Sequence, residues 1–205
     1  MHMLSGKYSL VNQRLKSAGA LSLPAVLWII FILLPLTFIQ CESFRTQAAV
    51  DIVSEGDMLP SFSANLSITD SLDWRYGFGE SFDTEQLQDK VGVVVFFHTS
   101  CDDCKRELPV VQSVYDNIKN NVSVSLVCIS RAESESEICD YFSSNKLSLP
   151  YSAQPDRRIY ELFATVGIPR IYIADARGVV RKVYTDSNAP DFAELMKAIE
   201  NSRTI

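Results

Sequence analysis

Apolar and polar positions change rhythm along this chain, and each rhythm predicts an element. Phe62-Ser63-Ala64-Asn65-Leu66-Ser67-Ile68 alternates apolar with polar, the period of a half-buried strand. Val91-Gly92-Val93-Val94-Val95-Phe96-Phe97 has no alternation and predicts a central strand buried on both faces. From Asp102 to Asn120 the apolar residues Leu108, Val111, Val114, Tyr115 and Ile118 fall at helical spacing, with Pro109 as an expected kink. Val122 to Ile129 reads as a strand, Glu135 to Lys146 as a helix with Ile138, Tyr141 and Phe142 on one face, and Arg157 to Val166 as a short helix. Arg170 to Ala174 and Val179 to Tyr184 read as strands around Asp175-Ala176-Arg177-Gly178, a hairpin turn with glycine at the left-handed position. Asp191 to Asn201 closes the chain as a helix with Phe192, Leu195, Met196 and Ile199 inward. Between the first strand and the central one, Thr69 to Ser81 reads as a loop whose Trp74, Tyr76 and Phe78 cover the domain or bind a partner. The order β-β-α-β-α-α-β-β-α, alternating in its middle, implies an α/β fold with a mixed sheet and helices on both faces.

The first fifty residues are of another kind. Ala18 to Ile39 carries no charge and is long enough to span a bilayer, which takes about 20 apolar residues. Lys7, Arg14 and Lys16 precede it, so residues 1–17 are expected in the cytoplasm and the rest outside. This divides the chain into a cytoplasmic N-terminus (1–17), a transmembrane signal anchor (18–40), a linker (41–53) and a soluble domain (54–205) on the periplasmic side of the inner membrane. Two other processing routes stay open: cleavage near Thr46-Gln47-Ala48, and lipid attachment at Cys41, where Gln40 departs from the small residue that a lipoprotein signal needs. All three place the domain where free thiols tend to be oxidised. Net charge is −6 over 205 residues, and the Lys and Arg are scattered, which argues against a nucleic-acid surface.

Charge and compartment give weight to Cys101-Asp102-Asp103-Cys104, at the junction of the buried strand and the helix. Residues i and i+3 share a helix face, and a helix N-terminus stabilises a thiolate, so this spacing suits dithiol–disulfide chemistry with Cys101 as nucleophile and Cys104 as resolving thiol. A copper or zinc site would draw on His98 with the two cysteines, but no second ligand pair accompanies them, since the other histidine is His2. Cys128, in a strand, and Cys139, on a helix, read as buried, unreactive thiols, with a second disulfide between them as the alternative.

The ordered set of motifs resembles the thioredoxin superfamily, and within it the membrane-tethered TlpA/ResA-like thiol-disulfide oxidoreductases. The resemblance covers residues 54 to 203. It rests on the entry segment Glu55 to Phe62, the strand running into Cys101-x-x-Cys104, Pro109 five residues after the second cysteine, Gly167-Ile168-Pro169 ahead of a strand, and the turn Asp175 to Gly178. The residues between Ile129 and the 157–166 segment match the extra αβ unit of the TlpA-like branch. The resemblance implies an N-terminal β-hairpin, a cis bond at Pro169, and an Ile168 backbone free to pair with an extended substrate chain. Glu107 matches the glutamate that this branch places three residues after the second cysteine, and a proton exchange with Cys104 is expected of it. No cofactor is implied beyond the Cys101–Cys104 disulfide. Partners are protein thiols and disulfides, as in cytochrome c maturation or disulfide repair, and a membrane or periplasmic electron donor.

The departures concern poise and partner. Ser100 stands where the family usually has Trp, Arg170 where Thr follows the cis-proline, and Asp102-Asp103 between the cysteines. Carboxylates beside the nucleophile oppose its thiolate, so a potential nearer thioredoxin's ~−270 mV than DsbA's ~−120 mV is expected. Two other readings stay open. A peroxiredoxin-like thiol peroxidase wants Thr or Ser where this chain has His98, and Pro where it has Val94. A metallochaperone would use His98, Cys101 and Cys104.

Overall fold

The computed structural model describes residues 51–67 and 81–203. The expected membrane segment and most of the linker lie outside them, as does all but the last residue of the Thr69–Ser81 loop. Five strands form the main sheet: β3 (Val91–Phe97), β4 (Val124–Ser130), β5 (Tyr151–Ser152), β6 (Arg170–Ala174) and β7 (Val180–Thr185), in the order β5-β4-β3-β6-β7. The β3–β4 and β4–β5 pairs are parallel, and β6 and β7 add antiparallel, so the sheet is mixed as the sequence implied. Two short strands, β1 (Ser63–Asn65) and β2 (Ser81–Asp83), pair antiparallel in a sheet of their own. The connection that would make them a hairpin lies in residues 68–80, outside the described residues. The α-helices are α1 (Asp102–Ile118), α2 (Glu135–Asn145) and α3 (Phe192–Arg203).

β3 is central because it has nothing polar to leave in water: all seven residues are buried. Its pleat sends Val91, Val93, Val95 and Phe97 to one face and Gly92, Val94 and Phe96 to the other. On the first face Phe97 packs 5.6 Å from Phe142 of α2, which lies 4.9 Å from Tyr151 of β5. On the same face the Tyr184 hydroxyl of β7 donates to the Glu194 carbonyl of α3, and α3 packs against α1. On the second face Phe96 meets Phe163 at 4.7 Å and Tyr160 at 5.5 Å, while Phe62 joins Phe163 to Phe82 of β2. Each such fully buried aromatic contributes about 1.5–3 kcal/mol by leaving water.

The second face departs from expectation. In place of a helix over Arg157–Val166 there is a single 3-10 turn, Tyr160–Leu162. The residues that follow the turn are tied elsewhere. Phe163 O accepts from the Ile52 and Val53 N–H groups at 3.0 and 3.1 Å, and the Thr165 and Val166 carbonyls accept from the Arg157 and Arg170 side chains. Gly167 then turns the chain at φ +88°. This face is covered by β1, β2 and single turns instead of α-helix. β5, with α2, forms the extra αβ unit that the resemblance implied; at two residues after Pro150 the strand is too short to show in the apolar pattern. In α3, Leu195 and Ile199 are buried as expected, but Phe192 is 40% exposed because it is the first residue of the helix, ahead of the turn that meets the sheet. The turn at Asp175–Gly178 is as expected, with Gly178 at φ +78° and its N–H donating to Asp175 O.

Candidate active site

β3 ends at Phe97, and His98-Thr99-Ser100 turn the chain into α1, whose N-cap is Cys101 in extended conformation. The Cys101 N–H closes that turn on His98 O at 3.1 Å. Its half-buried Sγ accepts from the Cys104 N–H at 3.4 Å, so the sulfur replaces the usual hydroxyl or carboxylate of a helix cap. Negative charge on that sulfur faces the unpaired N–H groups and the positive end of the helix dipole.

Cys104 lies one turn in and is fully buried. Burial, then its contact with the Cys101 sulfur, pushes its thiol far above the ordinary range, against smaller pulls from the His98 backbone N–H and Arg131. It therefore holds its proton. Both thiols are free in this structure, as are Cys128 and Cys139. Glu107 follows on the same helix face. It is 5% exposed, its Oε1 has no hydrogen-bond partner among the described residues, and burial pushes its carboxyl up to about 7. The site thus pairs a thiol that is hard to deprotonate with a carboxyl that changes state near neutrality.

Across from the dithiol stands the loop before β6. Ile168–Pro169 is a cis peptide, and the Ile168 carbonyl lies 3.6 Å from the Cys101 Sγ. The structure thus brings Cys101, Cys104 and Ile168 together, with Pro169 next to Ile168 and Glu107 one turn beyond Cys104 on α1. The two acids between the cysteines point outward. Asp102 pairs with Lys105 at 3.1 Å and Asp103 with Arg106, both on exposed surface. Paired and hydrated, they act on the sulfur less strongly than two bare carboxylates would.

His98 is held by local partners. Its Nδ1 lies 3.1 Å from the Ser100 N–H, 3.0 Å from the Ser100 hydroxyl and 3.5 Å from Glu133. Among the described residues no group of three or more His, Cys, Asp or Glu side chains is arranged to hold a metal ion. Glu133 was missed by the sequence reading. It is 3% exposed and accepts from both the N–H and the hydroxyl of Thr99, fixing the turn that delivers Cys101. It arrives from 34 residues away through a left-handed Ala132, and no local pattern announces that contact. Cys128 is buried in β4, as expected, and its thiol is raised by that burial; Cys139, expected to be buried too, is exposed, because it falls outside the Ile138–Phe142 face by which α2 packs.

A model of the AhpC/TSA family matches residues 56–183. The chain is 25% identical over 159 residues to the thiol-disulfide oxidoreductase ResA of Bacillus subtilis, covering 76% of this chain and 83% of that protein. It is 30% identical over 93 residues to the sporulation thiol-disulfide oxidoreductase A of the same organism, 43% of this chain and 56% of that protein. Among solved structures, a candidate protein disulfide isomerase of Bacteroides thetaiotaomicron superposes with a TM-score of 0.65 at 24% identity, covering 76% of this chain and 93% of that one. That likeness carries the fold.

Proposed function

Since this chain belongs to the AhpC/TSA family, we propose that it is a thiol-disulfide oxidoreductase that reduces protein disulfides through Cys101 and Cys104. The observation that carries the proposal is the Cys101 sulfur, capping a helix and facing the Ile168 carbonyl of the cis-proline loop at 3.6 Å. The Cys101 thiolate attacks one sulfur of a substrate disulfide. That S–S bond breaks, the other substrate sulfur leaves as a thiolate, and a mixed disulfide forms on Cys101. Glu107, in its ionised form, takes the Cys104 proton. The Cys104 thiolate then attacks Cys101, releases the second substrate thiolate and closes the Cys101–Cys104 disulfide. The substrate gains two electrons, the enzyme loses two, and a donor dithiol resets it by the same exchange in reverse. Ile168, beside Pro169, offers its backbone to an extended substrate chain.

The location follows from the apolar segment 18–39 with basic residues before it: a single-pass inner-membrane anchor holding the domain in the periplasm. In that oxidising compartment the fitting role is reduction of disulfides in apocytochromes or misfolded proteins, fed by a membrane or periplasmic dithiol donor. The named activity of the Bacillus subtilis relative supports the reaction class.

The test is reduction of insulin by the purified full chain with a chemical dithiol as donor. Wild type turns over and Cys101→Ser does not. Full activity in Cys101→Ser would sink the assignment, and rapid consumption of hydrogen peroxide without insulin reduction would favour a thiol peroxidase.

A further inference from the structure

We infer that Arg170 is a positioning residue: its buried guanidinium, paired with Asp51, holds the cis-proline loop at the place from which it meets Cys101 and a substrate chain. Arg170 is the first residue of β6, directly after Pro169, and is 3% exposed. Its side chain folds back over the loop it follows. Nη2 donates to Val166 O at 2.9 Å and Nε to Gly167 O at 3.2 Å. Gly167 O takes a second donor, the Tyr160 hydroxyl, at 2.6 Å. The carbonyls of residues 166 and 167 are thus drawn inward, while the next carbonyl, that of Ile168, faces the Cys101 sulfur.

The geometry asks for arginine. Only a planar fork of donors reaches two successive carbonyls and a carboxylate together. Gly167 is matched to it: at φ +88° a side chain is strained, and a Cβ there would stand 3.4 Å from Arg170 Nη2. Such a buried charge needs a counter-ion. Asp51 provides it, with Oδ1 2.5 Å from Nη1, and comes from the other end of the domain. Its neighbours Ile52 and Val53 donate to Phe163 O, so residues 51–53 form a strap across the segment that leads into the loop. The residues where the chain enters the domain are thereby part of the support of the reacting sulfur.

The effect on an extended substrate rests on the function proposed above; the effect on the loop does not. The test uses the full chain with Asp51→Asn, whose side chain is half exposed, and Arg170→Lys, which keeps the charge and loses the fork. Rates are measured with a disulfide-bonded peptide and with a small aromatic disulfide that has no backbone to pair. Both variants should react on the order of tenfold more slowly with the peptide and at the wild-type rate with the small disulfide. The order parameter of the Ile168 amide from 15N relaxation should fall in both. Equal slowing with the two disulfides together with a lowered melting temperature would show a structural role alone, and an unchanged order parameter at Ile168 in Asp51→Asn would overturn the inference. A wild type that reduces neither disulfide would defeat the proposed function, while the order parameter at Ile168 would still decide the role of the clamp.

Discussion

At the residue scale, Glu107 is a buried carboxyl with one oxygen that has no hydrogen-bond partner among the described residues. Its folded value of about 7 lies above the ordinary 4.5, so between these values the folded chain keeps a proton that the unfolded chain has released. Stability is therefore fully present below about pH 4.5 and is lost as pH rises through about 7. Glu107→Gln removes the loss. Urea unfolding should find the variant more stable than wild type by about 2–3 kcal/mol near pH 8 and equal to it near pH 4. A variant that is less stable near pH 8 would contradict this. If Glu107 also takes the Cys104 proton, the same variant should resolve a Cys101 mixed disulfide on the order of 10²-fold more slowly, as stopped-flow release of a chromophoric thiol would show. The two cysteines stood out by their local spacing, and Glu107 and Pro169 through the family resemblance of the motifs around them. Glu133, Tyr160 and Asp51 were not, because each acts through a contact with a residue distant in sequence.

At the element scale, the working unit is β3 running into α1. Seven buried residues fix the strand, and a sulfur cap starts the helix. Phe97 is the last strand residue and packs on α2. Phe97→Ala should cost about 3–5 kcal/mol in chemical unfolding, and a loss below about 1 kcal/mol would mean that the site does not rest on this junction. The first turn of α1 bears on redox poise. Asp102 and Asp103 are paired with Lys105 and Arg106 and exposed, so their effect on the sulfur is reduced but keeps its sign. Replacing them by Asp102→Gly and Asp103→Pro should make the potential less reducing by no more than about 20 mV, equivalent to roughly 1 kcal/mol for two electrons. Glutathione titration measures this, and a shift toward more reducing values would overturn the reading of both acids. Strands and long helices were legible here because burial imposes a period. The 157–166 segment was not: its apolar spacing is helical, but its last carbonyls bond the distant Ile52 and Val53 N–H groups and two arginine side chains, contacts that only the folded chain reveals.

At the scale of the whole molecule, the proposed function joins the charge-free segment 18–39 to the cysteine pair at 101–104: as an anchor, the segment would hold a reductant where thiols are otherwise oxidised. The protein should stay with membranes after a high-salt wash, and protease added outside the inner membrane should digest the domain. Recovery in the soluble cytosolic fraction would contradict the placement. The thioredoxin-like architecture was legible from the order of its elements, since strand, cysteine pair, helix and cis-proline loop follow one another along the chain. What supports that site was not legible, because Arg170 and Asp51 join opposite ends of the domain. The central claim is that Cys101 attacks protein disulfides and Cys104 resolves them, and it is tested most directly by expressing the full chain as Cys104→Ser and mapping its adducts by mass spectrometry. The account predicts reducible mixed disulfides with other proteins, all on Cys101 and absent when Cys101 is also replaced by Ser. Adducts on Cys128 or Cys139 instead, or no adducts at all, would contradict it.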